Sequence, residues 1–225
     1  MRIAALVFPR LTQLDLTGPY EVWSRVPGLE VMLVASGREQ VRSEFGLPIA
    51  PTATFDDAAQ CDVLFCPGGP GVNDAILDER LLLFVRTQAE EARYVTAVCS
   101  GSLILGAAGL LDGYRAVTHW TAMEFLPLFG ALPIDERIVR DRNRITGGGV
   151  TAGIDFALAV VAETRGPEIA KQIQLAIEYD PRPPFDSGHP RRADPSIVEI
   201  VTASRAETQQ RRRDAVASAV RRLRT

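Results

Sequence analysis

The chain has 225 residues, 46% of them hydrophobic and 24% charged, which is enough apolar material for a large core and the balance of a globular α/β protein. A formal net charge of −3 gives no general attraction for nucleic acid. No apolar stretch approaches the ~18 residues of a membrane span, and the N-terminal run lacks the apolar core and small-residue cleavage site of a secretion signal; an odd count of three cysteines without C-x-x-C spacing suggests a reducing cytoplasm.

Ile3 to Phe8 is a continuous apolar run stopped by Pro9 and reads as a buried strand. In "LDLTGPYEVWSRV" a helix is expected to begin near Pro19, with Thr17 or Gly18 as its cap. Residues 29–37 give a second buried strand. Residues 43–58, cut by Gly46, Pro48 and Pro51, read as an irregular or edge hairpin. "CDVLFCPGGPG", 61–71, is a strand that breaks into a glycine loop. Leu77 to Ala92 is an amphipathic helix, Tyr94 to Val98 the next strand, and Ser100 to Ala108 the next helix. A turn and short helix follow at 116–131, then a hairpin pairing Ile138–Val139 with Arg144–Ile145. "GGGVTAGIDFALAVVAETRG" is a glycine loop running into an apolar, buried helix. Pro167 to Tyr179 is another helix, residues 181–190 are a proline-rich surface crossing, and a last helix starts near Pro195.

Strands alternating with helices imply right-handed βαβ units and a mainly parallel sheet covered on both faces. No repeat or linker divides the chain, so residues 1–225 read as a single domain.

Sites in such sheets lie beyond the carboxyl ends of the strands. Cys99 sits at such an end, followed directly by Ser-Gly-Ser and a helix. A sharp strand-to-helix turn lifts the side chain off the sheet, and the N–H groups of the helix start favour thiolate, so a lowered thiol pKa is expected. The three cysteines, Cys61, Cys66 and Cys99, have no C-x-x-C spacing, which argues against a disulfide framework and against a zinc site; Cys61 and Cys66 read as core. Asp15, flanked by leucines, has two readings: a helix N-cap, or an acid/base facing Cys99 whose pKa the thiolate's charge would raise. Gly68 and Gly69 could turn backbone N–H groups into an anion-stabilising nest, and the loop Gly147–Gly149 with Val150 could line the same cleft. His119 is open between a Cys–His pair and a structural role; His189 reads as surface. The arginines at 211–213, 221, 222 and 224 read as the solvated face of a packed helix.

The combination "FPRLTQLDLTGPYEVW", "LFCPGGPGV", "AVCSGSLILGAAGLLDGYRAVTHW" and "RITGGGVTAGIDFALAVVAE" resembles the PfpI-like superfamily, of class I glutamine amidotransferase-like fold, and within it the isocyanide (isonitrile) hydratases. That resemblance implies a flavodoxin-like three-layer α/β sandwich, a homodimer, and addition of water to a small-molecule isocyanide without metal or organic cofactor. It assigns the nucleophile to Cys99 and its acidic partner to Asp15. The residue after the nucleophile is threonine in that family; Ser100 keeps the hydroxyl and is counted with Cys99 and Asp15 among the catalytic residues the resemblance implies. Peptidase-like members carry histidine there instead, and no late His-x-Glu follows, which counts against amide acyl transfer. "GLLDGYRAVTHW" also resembles the N-terminal domain of AraC-type regulators. The chain leaves room for one terminal helix, which argues against a DNA-binding regulator; a ligand or redox sensor is the non-enzymatic alternative.

Overall fold

The computed structural model describes residues 1–223. The chain runs through β1 (Arg2–Leu6), α1 (Gln13–Trp23) and β2 (Glu30–Ala35), then the short strands β3 (Val41–Arg42), β4 (Pro48–Ile49) and β5 (Ala53–Thr54), to β6 (Val63–Cys66). The helices α2 (Val72–Ala75) and α3 (Glu79–Glu91) lead to β7 (Tyr94–Val98), a 3₁₀ turn at Cys99–Gly101, and α4 (Ser102–Ala107). Next come β8 (Arg115–Ala116), a 3₁₀ helix (Trp120–Phe129), β9 (Leu132–Pro133), β10 (Ile138–Asp141) and β11 (Arg144–Gly147). Four helices complete the chain: α5 (Ala152–Arg165), α6 (Pro167–Ala176), α7 (Pro195–Ser204) and α8 (Ala206–Leu223).

The main sheet has the order β10-β11-β7-β6-β1-β2-β5, and only the edge strand β10 is antiparallel to its neighbour. Strands β6 and β7 are buried along their whole length, which is why their sequences are unbroken apolar runs rather than alternating ones. Helices α1, α5 and α6 form one covering layer, and α2, α3, α4 and α8 pack together as the other. The result is the three-layer α/β sandwich expected from the alternating pattern. From β1 the chain passes to β2 on one side and then returns to β6 on the other. Loops leaving the carboxyl ends therefore part at β1 and open a crevice there, the usual position for a site.

The layer beneath α1 and α5 is anchored by aromatics: Trp23 meets Phe65 edge-on at 4.9 Å between ring centroids, and Phe65 stacks on Phe156 at 5.7 Å. The expected edge hairpin resolves into β3 paired with β4, followed by β5 docking on β2. Cys61 and Cys66 are buried core residues.

Helix α1 starts at Gln13, well before Pro19, so Pro19 is interior and Asp15 lies in the first turn rather than at the cap. Pro19 has no N–H to give the Asp15 carbonyl four residues back, a loss that burial against α5 offsets: a Cβ on Gly153 would stand only 3.2 Å from the proline ring. The C-terminal helix is two helices, α7 and α8, meeting at Arg205.

Candidate active site

Strand β7 ends at Val98 in extended conformation, and Cys99 turns the chain with φ of +53°, a value that non-glycine residues rarely adopt. Two bonds hold this elbow: the Cys99 N–H donates to the Gly148 carbonyl at 2.8 Å, and the Thr118 hydroxyl donates to the Cys99 carbonyl at 2.7 Å. Only glycine fits at 101, where a Cβ would lie 2.1 Å from the Cys66 carbonyl oxygen. That close approach brings the end of β6, and with it the Gly68–Gly69 loop, against the elbow.

Asp15 reaches the same point from α1 and is fully buried. Its Oδ2 accepts from the Gly68 N–H at 3.0 Å, while Oδ1 is buried with no hydrogen-bond partner. Burial raises the carboxyl pKa from 3.8 to about 7; the Cys99 thiol and the Gly68 N–H pull it down, and Glu44 adds a further rise. The expected rise is therefore present, but its source is desolvation and not the sulfur, which acts on Asp15 in the opposite direction.

The lowered thiol pKa is not found. Burial pushes the Cys99 thiol well above the range of a free cysteine, and the neighbouring Asp15 charge pushes it further; the Ser100 N–H and, more weakly, Arg212 act the other way. The helix start does favour sulfur anion, but only one turn of N–H groups acts against complete loss of water. The two groups thus form a thiol–carboxyl pair in which, above about pH 7, the negative charge rests on Asp15 and the proton on sulfur.

The other sequence candidates gather at the same place with altered duties. Ser100 lies beside the pair, yet its hydroxyl is committed to the loop: it accepts from the Gly69 N–H at 3.0 Å and donates to the Gly69 carbonyl at 3.2 Å. Its backbone N–H, not its side chain, addresses the thiol. The N–H groups of Gly68 and Gly69 are both engaged within the protein, by Asp15 and Ser100, so they hold the pair in position instead of forming an open anion nest. Val150, half-buried, lines a cavity of about 440 Å³ together with Cys99, Ser100, Gly69 and Glu44. His119 lines it too. Its Nδ1 accepts from the Thr121 N–H at 3.2 Å, and burial lowers its pKa to about 4, so the ring is neutral with its proton on Nε2. It caps the 3₁₀ helix at Trp120–Phe129 and pairs with Thr121, not with Cys99. His189 is half-buried 3.4 Å from Asp135, lining a neighbouring cavity of about 490 Å³ that shares His119 and Val150.

Arg212 was hidden in the sequence within a run of arginines expected on a solvated face. It is buried and lines the Cys99 cavity from α8. Its spacing carries the signal: Arg212 is in phase with Ala215, Val216 and Ala219, the buried face of the same helix. Among the described residues no group of three or more His, Cys, Asp or Glu side chains could hold a metal ion, and no helix is long and apolar enough to cross a membrane.

Residues 1–163 match the model of the DJ-1/PfpI family. Isonitrile hydratase of Pseudomonas putida is 51% identical over 199 residues, which is 88% of this chain and 87% of that protein. The crystal structure of a THiJ/PfpI family protein from Pseudomonas syringae superposes with a TM-score of 0.93 at 45% identity, covering 96% of this chain and 90% of that one. The HTH-type transcriptional regulator GbdR of Pseudomonas aeruginosa is 34% identical over 143 residues, 63% of this chain but only 39% of the regulator.

Proposed function

The chain belongs to the DJ-1/PfpI family, and on that premise we propose that it is an isocyanide hydratase, acting as one domain over residues 1–225 and adding water to R–N≡C to give the N-substituted formamide. The observation that carries the reading is the buried thiol–carboxyl pair, Cys99 with Asp15, at a positive-φ elbow that opens on a small-molecule-sized cavity. A sulfur nucleophile and one proton carrier are what the reaction requires.

The steps follow from the pair's protonation. Above about pH 7 Asp15 is ionised and Cys99 is a thiol. Asp15 takes the thiol proton as sulfur attacks the terminal isocyanide carbon, and passes that proton to the same carbon. The product is a covalent thioimidate, R–N=CH–S–Cys99. Water then adds to that carbon: Asp15 accepts a proton from the attacking water and passes it to the nitrogen, which leaves Asp15 ionised again. In the tetrahedral adduct R–NH–CH(OH)–S–Cys99 the carbon–sulfur bond breaks, the hydroxyl proton leaves through Asp15 to sulfur, and the formamide departs. No electrons change hands, so the sequence calls on neither a redox cofactor nor a metal. The Ser100 N–H steadies sulfur while it is anionic, and Ser100 Oγ keeps the Gly69 loop in register. A homodimer is part of the same reading.

The test is direct. Purified protein is mixed with an aryl isocyanide, loss of the isocyanide stretch and appearance of the formamide are followed, and intact mass is recorded during turnover. Wild type is expected to turn over and to carry, transiently, one added isocyanide mass on Cys99. Formamide produced by Cys99→Ala at the wild-type rate would remove the nucleophile. Sedimentation reads the dimer independently.

A further inference from the structure

Arg212 is 5% exposed and has no carboxylate partner among the described residues. Its neighbours Arg211 and Arg213, by contrast, are exposed and paired with Asp74 and Glu124. A buried guanidinium that lacks a counter-charge destabilises a fold, so its place needs a reason. Its donors are neutralised only by neutral acceptors: Nε gives to Asn73 Oδ1 at 2.9 Å, Nη1 to Gln209 Oε1 at 3.4 Å and Nη2 to the Gly69 carbonyl at 3.4 Å. That same Gly69 carbonyl accepts from Ser100 Oγ, so Arg212 stands two hydrogen bonds from the elbow and shares the cavity wall with Cys99. Gln209, one turn before it, ties α8 down by donating to the Thr121 carbonyl.

The charged and titratable groups that line this cavity are Cys99, Glu44 from the turn between β3 and β4, His119 at the start of the 3₁₀ helix, Arg205 at the α7–α8 junction and Arg212 from α8; Asp15, from α1, faces Cys99. His119 is neutral, and Arg205 is exposed to water. The buried anion is Asp15 until the thiol proton moves to it and leaves the charge on Cys99, and the buried cation is Arg212, whose charge and that of Cys99 favour each other.

We infer that Arg212 is the counter-cation of the Cys99–Asp15 pair, a positioning residue brought by the C-terminal helix that allows the pair's negative charge to move onto sulfur. It lies beyond residues 1–163, the part that matches the family model, so this chain completes the shared cysteine site with a charge from outside the shared core. Its consequence for turnover rests on the hydratase reading; its consequence for the thiol does not.

The experiment measures the rate of iodoacetamide alkylation at Cys99 against pH, located by peptide mass mapping, for the full chain as wild type, Arg212→Lys, Arg212→Met and Arg212→Gln. Removing the cation is expected to move the profile up by about one pH unit, making alkylation about tenfold slower at neutral pH in the Met and Gln variants. Arg212→Lys, which keeps the charge, stays within about twofold of wild type. With an aryl isocyanide, the neutral variants lose kcat in the same proportion while KM moves little. Gln retains an amide donor for the Gly69 carbonyl and decides the matter if the Met variant does not fold. Profiles of the neutral variants that overlay wild type would overturn the inference, as would a Lys variant as slow as Met. Wild type that alkylates as expected but leaves isocyanide untouched would overturn the hydratase reading alone.

Discussion

Two strands of one sheet, β6 and β7, each hand the chain to a helix, and they do so in opposite ways. After β6 the chain runs through a loop and α2 to Asp78, which starts α3 at an ordinary φ of −83° with its carboxylate accepting from the N–H groups of Arg80 and Leu81. After β7 there is no loop and no side-chain cap: Cys99 takes φ of +53° and enters the helix directly, buried and beside an unsatisfied carboxyl oxygen. The first start satisfies every rule for a stable helix. The second breaks three of them, and residues that break local rules together mark the place where stability yields to chemistry.

Removing sulfur has the largest expected effect. Cys99→Ala is expected to lower turnover by about 10³-fold or more, with the fold intact by circular dichroism. Asp15→Asn comes next. It is expected to lower turnover by about 10²- to 10⁴-fold, since no proton can then pass between sulfur, carbon and water. It is also expected to stabilise the fold. Burial raises Asp15 to about 7 in the folded chain from 3.8. Between those values the unfolded chain has released the proton and the folded chain still holds it. Stability therefore falls as pH rises through that window and levels off above about 7. Asparagine has no proton to lose, so the variant should gain on wild type across the window, reaching about 2–4 kcal/mol above neutrality in urea melts. A variant no more stable at pH 8 than at pH 4, relative to wild type, would contradict the assignment. The same ionisation sets the activity: kcat/KM of wild type should rise with pH to a plateau, with a midpoint of about 7.

Much of this was legible in the sequence, because strand burial and the cysteine's place at a joint are local properties. The apolar runs at Ile3–Phe8 and Tyr94–Val98 point to buried strands, which form at Arg2–Leu6 and Tyr94–Val98, and Ser-Gly-Ser directly after such a run points to a turn at the cysteine. What was not legible depends on packing between distant segments. Pro19 signals a helix start to any local reading, and only the embrace of α5 makes it an interior residue, which decides between the two readings of Asp15 against the cap. The thiol pKa follows a local rule at the helix start, but desolvation by the whole fold outweighs it. Arg212 looks like one of three surface arginines until α8 is laid against the site.

The smallest expected effect separates the two helix starts, which should answer the same substitution differently. Asp78→Ala removes an acceptor from the Arg80 and Leu81 N–H groups and is expected to destabilise by about 1 kcal/mol with turnover unchanged. Replacing that alanine by glycine should recover part of the loss and no more. At the elbow, alanine still carries the Cβ that strains a positive φ, and glycine does not. Cys99→Gly is therefore expected to be more stable than Cys99→Ala by about 1 kcal/mol, and close to wild type despite the lost sulfur. Urea midpoints for the four variants measure both differences in one series. An elbow whose alanine and glycine variants melt together would mean the positive φ carries no strain, and that Cys99 is held there by packing alone.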